Sequence, residues 1–220
     1  MEKVYERIAA LRIVPVIAIE DVASALPLAD ALAEGGLPVA EITFRTEAAA
    51  AVIEKIAAQR PEMLVGAGTI LTAANLTRAV ECGATFGVAP GCNPAVVAQA
   101  LDLKFPFSPG VMTPSDIESA LGLGVKFLKF FPAGAAGGVA MLKSVAAPYL
   151  HAGVRFIPTG GVNLANLGEY LSMKAVVAVG GTWIATPGDI AAGRWHQIRD
   201  NCRSAVALVD RLKSEVLAAT

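Results

Sequence analysis

A short apolar run followed by a helix-patterned stretch recurs about eight times along this chain, and no other feature constrains the fold as strongly. The runs are IVPVIAI from Ile13, VAEIT from Val39, LVGAG from Leu64, FGVA from Phe86, FPFSPG from Phe105, FLKFF from Phe127, RFIPTG from Arg155 and VVAVG from Val176. They are too apolar for strands with one wet face and read as parallel strands covered on both sides. Between them lie helix-patterned segments such as SALPLADALAEGG from Ser24, which stops on Gly35 and Gly36, and EAAAAVIEKIAAQ from Glu47. TPSDIESALGLG starts with Thr113 as a helix cap and Pro114 at the first helical position. Eight β-α units favour a closed (β/α)8 TIM barrel over an open doubly wound sheet, and 220 residues suffice for one.

Two pieces flank the repeat. Residues 2–11 read as an extra N-terminal helix. Residues from about Asp189 to Thr220 read as a terminal helix, with Ile198, Val206, Leu208, Val209 and Leu212 apolar. No linker or low-complexity tract interrupts the chain, so a single domain over residues 1–220 is expected.

A hydrophobic content of 55% and a mean hydropathy of +0.56 would fit a membrane protein, but the apolar residues are dispersed. No run reaches the roughly 18 residues a spanning helix needs. A net charge of -1 gives nucleic acid nothing to bind. The N-terminus, MEKVYERIAALR, lacks an apolar signal core, so a cytoplasmic location is expected. Cys82, Cys92 and Cys202 are odd in number and far apart, which reads as reduced thiols. His151 and His196 end no expected strand, and no His, Asp or Glu cluster has ligand spacing, so no metal is expected. Walker, G-x-S-x-G and G-x-G-x-x-G motifs are absent from the sequence.

Barrel enzymes work at the C-terminal ends of their strands, so polar residues within or after the runs are the candidates. Lys129 sits in a phenylalanine-rich strand and shares a face with Phe127 and Phe131. Amines in apolar surroundings lose the hydration that favours the charged form, and a neutral amine attacks carbonyl carbon to give a Schiff base. The alternative has Lys129 reaching the rim to pair with a carboxylate. Glu41 lies mid-strand, where a carboxylate is expensive unless paired or functional. Facing inward, it meets Lys129 either as general acid/base or as a structural ion pair. Arg45, after the same strand, is placed to hold a substrate carboxylate, or else pairs with Glu47. Thr69, ending GAGT, offers a hydroxyl to a ligand. The strands of RFIPTGG and VAVGGTW both end in paired glycines. They form the last two units, where such barrels cradle phosphate, and the first is expected to lead into a helix N-terminus.

These residues sit in motifs that resemble a known family. GG-L-x-x-x-EIT-x-RT from Gly35, GAGT from Gly66, PGVMTPSD from Pro109, LKFFPAGAAGG from Leu128, PTGG from Pro158 and GGTW from Gly180 resemble the 2-keto-3-deoxy-6-phosphogluconate (KDPG) aldolases. Those bifunctional enzymes also cleave 4-hydroxy-2-oxoglutarate. The resemblance runs from about Arg12 to the C-terminal helix. It implies a class I aldolase of carbohydrate metabolism, in the Entner–Doudoroff pathway, needing no cofactor and assembling as a homotrimer. It further implies Lys129 as Schiff-base lysine and Glu41 as acid/base. Arg45 and Thr69 would hold the pyruvyl carboxylate, Pro90 and Phe131 would line the pocket, and Thr159 would lie beside the substrate. Gly160, Gly161, Gly180, Gly181 and Thr182 would bind the phosphate.

The chain departs from many relatives at Gly134, where Glu is common, and at Ala89, where Ser is common. Both departures bear on substrate preference. Competing expectations are the 6-phosphogalactonate epimer, unphosphorylated 4-hydroxy-2-oxoglutarate with idle phosphate turns, oxaloacetate decarboxylation as a side activity, and a non-catalytic trimeric scaffold.

Overall fold

The computed structural model describes residues 1–218. Strands β1 (Ile13–Ile17), β2 (Val39–Thr43), β3 (Leu64–Gly68), β4 (Gly87–Val88) and β5 (Phe107–Ser108) run side by side, with β9 (Val179–Gly181) on the free edge of β1. Strands β6 (Gly110–Val111), β7 (Phe127–Phe130) and β8 (Arg155–Pro158) form a second sheet. Every pairing is parallel.

The two sheets close into one ring. On one side, β5 and β6 are halves of a single stave split at Pro109, which has no N–H for the ladder. The Pro109 carbonyl still accepts from Lys129 N–H at 2.9 Å. On the other side, parallel bridges Phe156–Val176 and Thr159–Gly180 tie β8 to the β9 segment. Helices α2 (Ala25–Glu34), α3 (Ala49–Gln59), α4 (Ala73–Glu81), α5 (Pro94–Asp102), α6 (Pro114–Gly122), α7 (Gly138–Ala146) and α8 (Leu167–Leu171) follow the strands around the ring.

Strand residues are buried on both faces because barrel interior and helix layer both exclude water. All five residues of β1, β2 and β3 are buried. Each large aliphatic side chain sealed this way contributes about 1.5–3 kcal/mol. Helix starts follow local chemistry. Thr113 and Asp116 form a reciprocal capping box around Pro114, and Thr72 and Asn93 cap α4 and α5 through their side chains. Gly35 ends α2 for a packing reason: a Cβ there would strike the Cβ of Cys202 on helix α10 (Trp195–Ala218).

Helix α1 (Glu2–Leu11) closes the pole opposite the strand C-termini. Ile8 is buried, and the Tyr5 ring stacks on Phe127 with centroids 4.1 Å apart. Arg12 caps α1 in the left-handed conformation, with φ at 66°. Its guanidinium donates to the carbonyls of Leu171 (2.6 Å) and Val176 (3.1 Å), tying α1 to the segment before β9.

Several expectations shift. The run from Val176 starts its strand only at Val179, and Val176 makes an isolated bridge. The first run ends its strand at Ile17 rather than Ile19. The expected terminal helix breaks in two, with α9 (Pro187–Ala191) capped by Thr186 and a left-handed Gly193 before α10. Positions 219 and 220 of that expected helix lie outside the described residues. Cys82 and Cys202 are buried thiols, whereas Cys92 is only half-buried. His151 and His196 are exposed, and no three His, Cys, Asp or Glu side chains group as metal ligands among the described residues. No described helix is long and apolar enough to cross a membrane.

Candidate active site

Strands β2 and β7 aim their two charged residues into the barrel. Lys129 Nζ lies 2.9 Å from Glu41 Oε1, and the residues are 6% and 3% exposed. Leu128 and Phe130, on the opposite face of β7, are sealed against the helix layer. Lys129 therefore faces the interior and does not snorkel to the rim. Its ammonium also lies 5.7 Å from the Phe131 ring centroid, within cation–π range.

Glu41 fits because β3 carries glycine beside it. A Cβ at Gly68 would collide with the Glu41 carboxyl group. Beneath the pair is a narrow chamber of about 10 Å³. Its polar walls are Glu41, Ser108, Lys129 and Thr159, and its apolar walls are Ile8, Val14, Phe86, Val88 and Ile157. Burial pushes the Tyr5 phenol at the lower pole up to about 12, against hydrogen bonds with Ser108 and the Phe107 backbone.

The remaining candidates ring the mouth, at or just past strand ends. Thr69 follows β3, half-buried, with φ at 59°. Such a value is uncommon for a β-branched residue and stores local strain at this site. Pro90 follows β4, and Gly110 packs so closely on its carbonyl that no side chain would fit there. Phe131 and Thr159 follow β7 and β8, and Thr159 is buried. Arg45 is exposed and shares a rim depression with Glu20 and Glu47, outside the inner chamber. The expected alternative, an Arg45–Glu47 pair, is absent from the ion pairs of the described residues.

The two glycine pairs come together, but only the first is a turn, and no helix follows it directly. Gly160 and Gly161 form a left-handed turn, with φ of 88° and 83°. The helix after them starts only at Leu167, so they sit at no helix N-terminus. Gly180 and Gly181 lie within β9, in register with Val14 and Pro15. A Cβ at Gly180 would strike Thr159 Oγ1, and one at Gly181 would strike the Trp183 ring. Thr182 follows the strand, exposed. Gly134 docks on the first turn: its N–H donates to the Gly160 carbonyl at 2.7 Å.

The sequence reading passed over Ser108, Phe86, Val88 and Tyr5. Ser108 was open to the criterion that found Glu41 and Lys129, a polar residue inside an apolar strand. Tyr5 had no such signal, because its place follows from how α1 folds under the barrel.

The KDPG and KHG aldolase family model matches residues 4–201. This chain belongs to that family. A 2-dehydro-3-deoxy-phosphogluconate aldolase of Haemophilus influenzae is 45% identical over 94% of this chain and 97% of its own length. The KHG/KDPG aldolase of Escherichia coli is 40% identical over 88% and 90%. Among solved structures, a KDPG aldolase of Legionella pneumophila, with pyruvate captured at low pH as a covalent carbinolamine, superposes with a TM-score of 0.88. It is 38% identical and covers 92% of this chain and 97% of its own.

Proposed function

We propose that this aldolase-family chain is a class I, Schiff-base enzyme that cleaves KDPG to pyruvate and glyceraldehyde 3-phosphate, with 4-hydroxy-2-oxoglutarate as a second substrate. The observation that carries this reading is the buried Lys129–Glu41 contact at 2.9 Å inside the barrel. The carbinolamine seen in the Legionella relative supports it.

Passing the shared proton to Glu41 frees the Lys129 lone pair to add to the C2 carbonyl of the substrate. Glu41 then delivers protons as the carbinolamine loses water to give an iminium. Removal of the C4 hydroxyl proton, by Glu41 through water, breaks the C3–C4 bond. The electron pair moves into the iminium, leaving an enamine and releasing the aldehyde. Protonation at C3 and addition of water then release pyruvate and restore the amine.

In this reading Arg45 and Thr69 receive the carboxylate, Pro90 and Phe131 line the pocket, and Thr159 lies alongside the chain of the substrate. Gly160, Gly161, Gly180, Gly181 and Thr182 receive the phosphate at the mouth, where the Thr159–Gly180 bridge brings the two segments side by side. We further propose that residues 1–220 act as one barrel domain, in a cytoplasmic homotrimer. Light scattering in solution tests the assembly.

Borohydride reduction with pyruvate, followed by peptide mapping, tests the chemistry. An adduct on Lys129 is expected, and an adduct elsewhere overturns the assignment. Parallel assays on KDPG, its galacto epimer and 4-hydroxy-2-oxoglutarate set the preferred substrate. Failure on all three would favour the scaffold reading.

A further inference from the structure

Beyond β9 the chain is hydrogen-bonded through one side chain. The ladder with β1 ends at the pair Pro15–Gly181. Among the described residues, no backbone–backbone hydrogen bond engages residues 182–185. Their hydrogen bonds come from Asn201 on α10, whose Nδ2 donates to the carbonyls of Trp183 at 3.4 Å and Ile184 at 3.1 Å. Carbonyls only accept, so the amide nitrogen has to face them, and its two hydrogens serve one carbonyl each. The amide oxygen then faces Gln197, one turn back on α10, and accepts from its Nε2 at 2.9 Å. The helix that carries this amide is well anchored. Ile198, Cys202 and Ala205 are buried along it, and Cys202 packs on Gly35 at the end of α2.

Thr182 lies in this segment, exposed, one residue before the first clamped carbonyl. The ladder holds the chain just before it, at Gly181, and the Trp183 ring lies so close to Gly181 that a Cβ there would be 2.6 Å away. We infer that Asn201 is a positioning residue for phosphate. It fixes the segment so that Thr182 presents its hydroxyl and its N–H, which no other backbone group takes up, to the phosphate of the substrate. Donors already held in place bind an anion without first losing their own freedom. Without the clamp, the substrate would have to order the segment each time it binds. Asn201 touches no reacting atom, so it acts on the binding of phosphorylated substrates and leaves the chemistry of Lys129 alone. This role rests on Thr182 receiving the phosphate.

Steady-state cleavage of KDPG by the full chain tests this, alongside borohydride trapping of pyruvate, which carries no phosphate. Asn201→Leu is expected to raise KM for KDPG roughly three- to tenfold, the effect of one modest hydrogen bond, while kcat and the half-saturating pyruvate concentration change less than about twofold. Asn201→Asp keeps the size of the side chain but turns acceptors toward two carbonyls. The same split is expected there, so a failure of Asn201→Leu to fold leaves the test standing. Thr182→Ala serves as the reference. If it raises KM for KDPG while the folded Asn201 variants leave it unchanged, the inference is overturned. A KM and a pyruvate half-saturation that rise together, or a fall in kcat alone, overturn it as well, since Asn201 would then support the barrel as a whole. An unchanged KM in Thr182→Ala instead brings down the phosphate assignment, and a wild-type chain that does not cleave KDPG brings down the proposed function. The role of Asn201 falls with either.

Discussion

Lys129 Nζ and Glu41 Oε1 meet at 2.9 Å, from strands 88 residues apart in sequence. The contact is nearly sealed from solvent, so neither group has water to replace a missing partner. Removing one partner of such a pair typically costs about 3–5 kcal/mol.

Lys129→Met should abolish both pyruvate trapping and aldol cleavage. Glu41→Gln should keep a trappable lysine but slow turnover by about 10²–10⁴, the range for lost general acid/base work. Steady-state kinetics with mass spectrometry of the reduced adduct checks both. Turnover at the wild-type rate in Glu41→Gln would make the pair a purely structural contact.

Gly68→Ala places a methyl group where the Glu41 carboxyl group now sits. Overfilling of this kind costs about 1–3 kcal/mol. The variant should unfold at lower denaturant and lose turnover more than it loses stability, because Glu41 must leave its position beside Lys129. Unfolding midpoints measured alongside kcat would show this. A loss of stability with unchanged kcat would mean that the carboxyl group has room to move.

Gly134 lies against the glycine turn that we propose receives the phosphate. A Cβ there would be 3.2 Å from Gly161 Cα and 3.3 Å from the Gly160 carbonyl oxygen. Gly134→Ala should therefore raise KM for KDPG several-fold, while KM for unphosphorylated 4-hydroxy-2-oxoglutarate changes little. An equal rise for both substrates would remove the phosphate role from this turn.

Asp189 accepts from the Thr186 hydroxyl at 2.6 Å and from Arg194 Nε at 2.8 Å. The Thr186 hydrogen bond, followed by Arg194, holds its carboxyl group below the usual carboxylate value of 3.8. A carboxyl group with a lowered folded-state pKa contributes stability above its unfolded value and loses it as pH falls through the folded one. Asp189→Asn should thus lower Tm near neutral pH, and the gap to wild type should close as acid protonates Asp189. Thermal melts across acidic pH would check the closing gap.

Much of the ring was legible because each strand is an apolar run with no wet face. The bounds of β2 and β3 match VAEIT and LVGAG, where β-branched and small residues are flanked by clear turns. The strand from Val176 was misplaced because the whole VVAVG run is apolar, while pairing with β1 fixes only its end. Lys129 and Glu41 stood out as charges in greasy strands. Their contact was an expectation only on condition that both side chains face inward, which the closed barrel decides. The helix N-terminus expected at Gly160 and Gly161 was misread, because the helix starts only at Leu167. Gly180 has no Cβ because Thr159 occupies that space, a cause lying across the sheet and invisible in the local motif. The Tyr5–Phe107 hydrogen bond lay out of reach for the same reason, since its members are joined only by the docking of α1.

Helix α1, with Ile8 and Tyr5, shuts the lower pole of the barrel. On the proposed chemistry, traffic therefore runs through a single doorway. The phosphorylated aldehyde lies nearer that doorway and departs first, while pyruvate, still tethered to Lys129, waits behind it. Release is ordered by architecture, and added pyruvate should compete with incoming substrate for the same corridor.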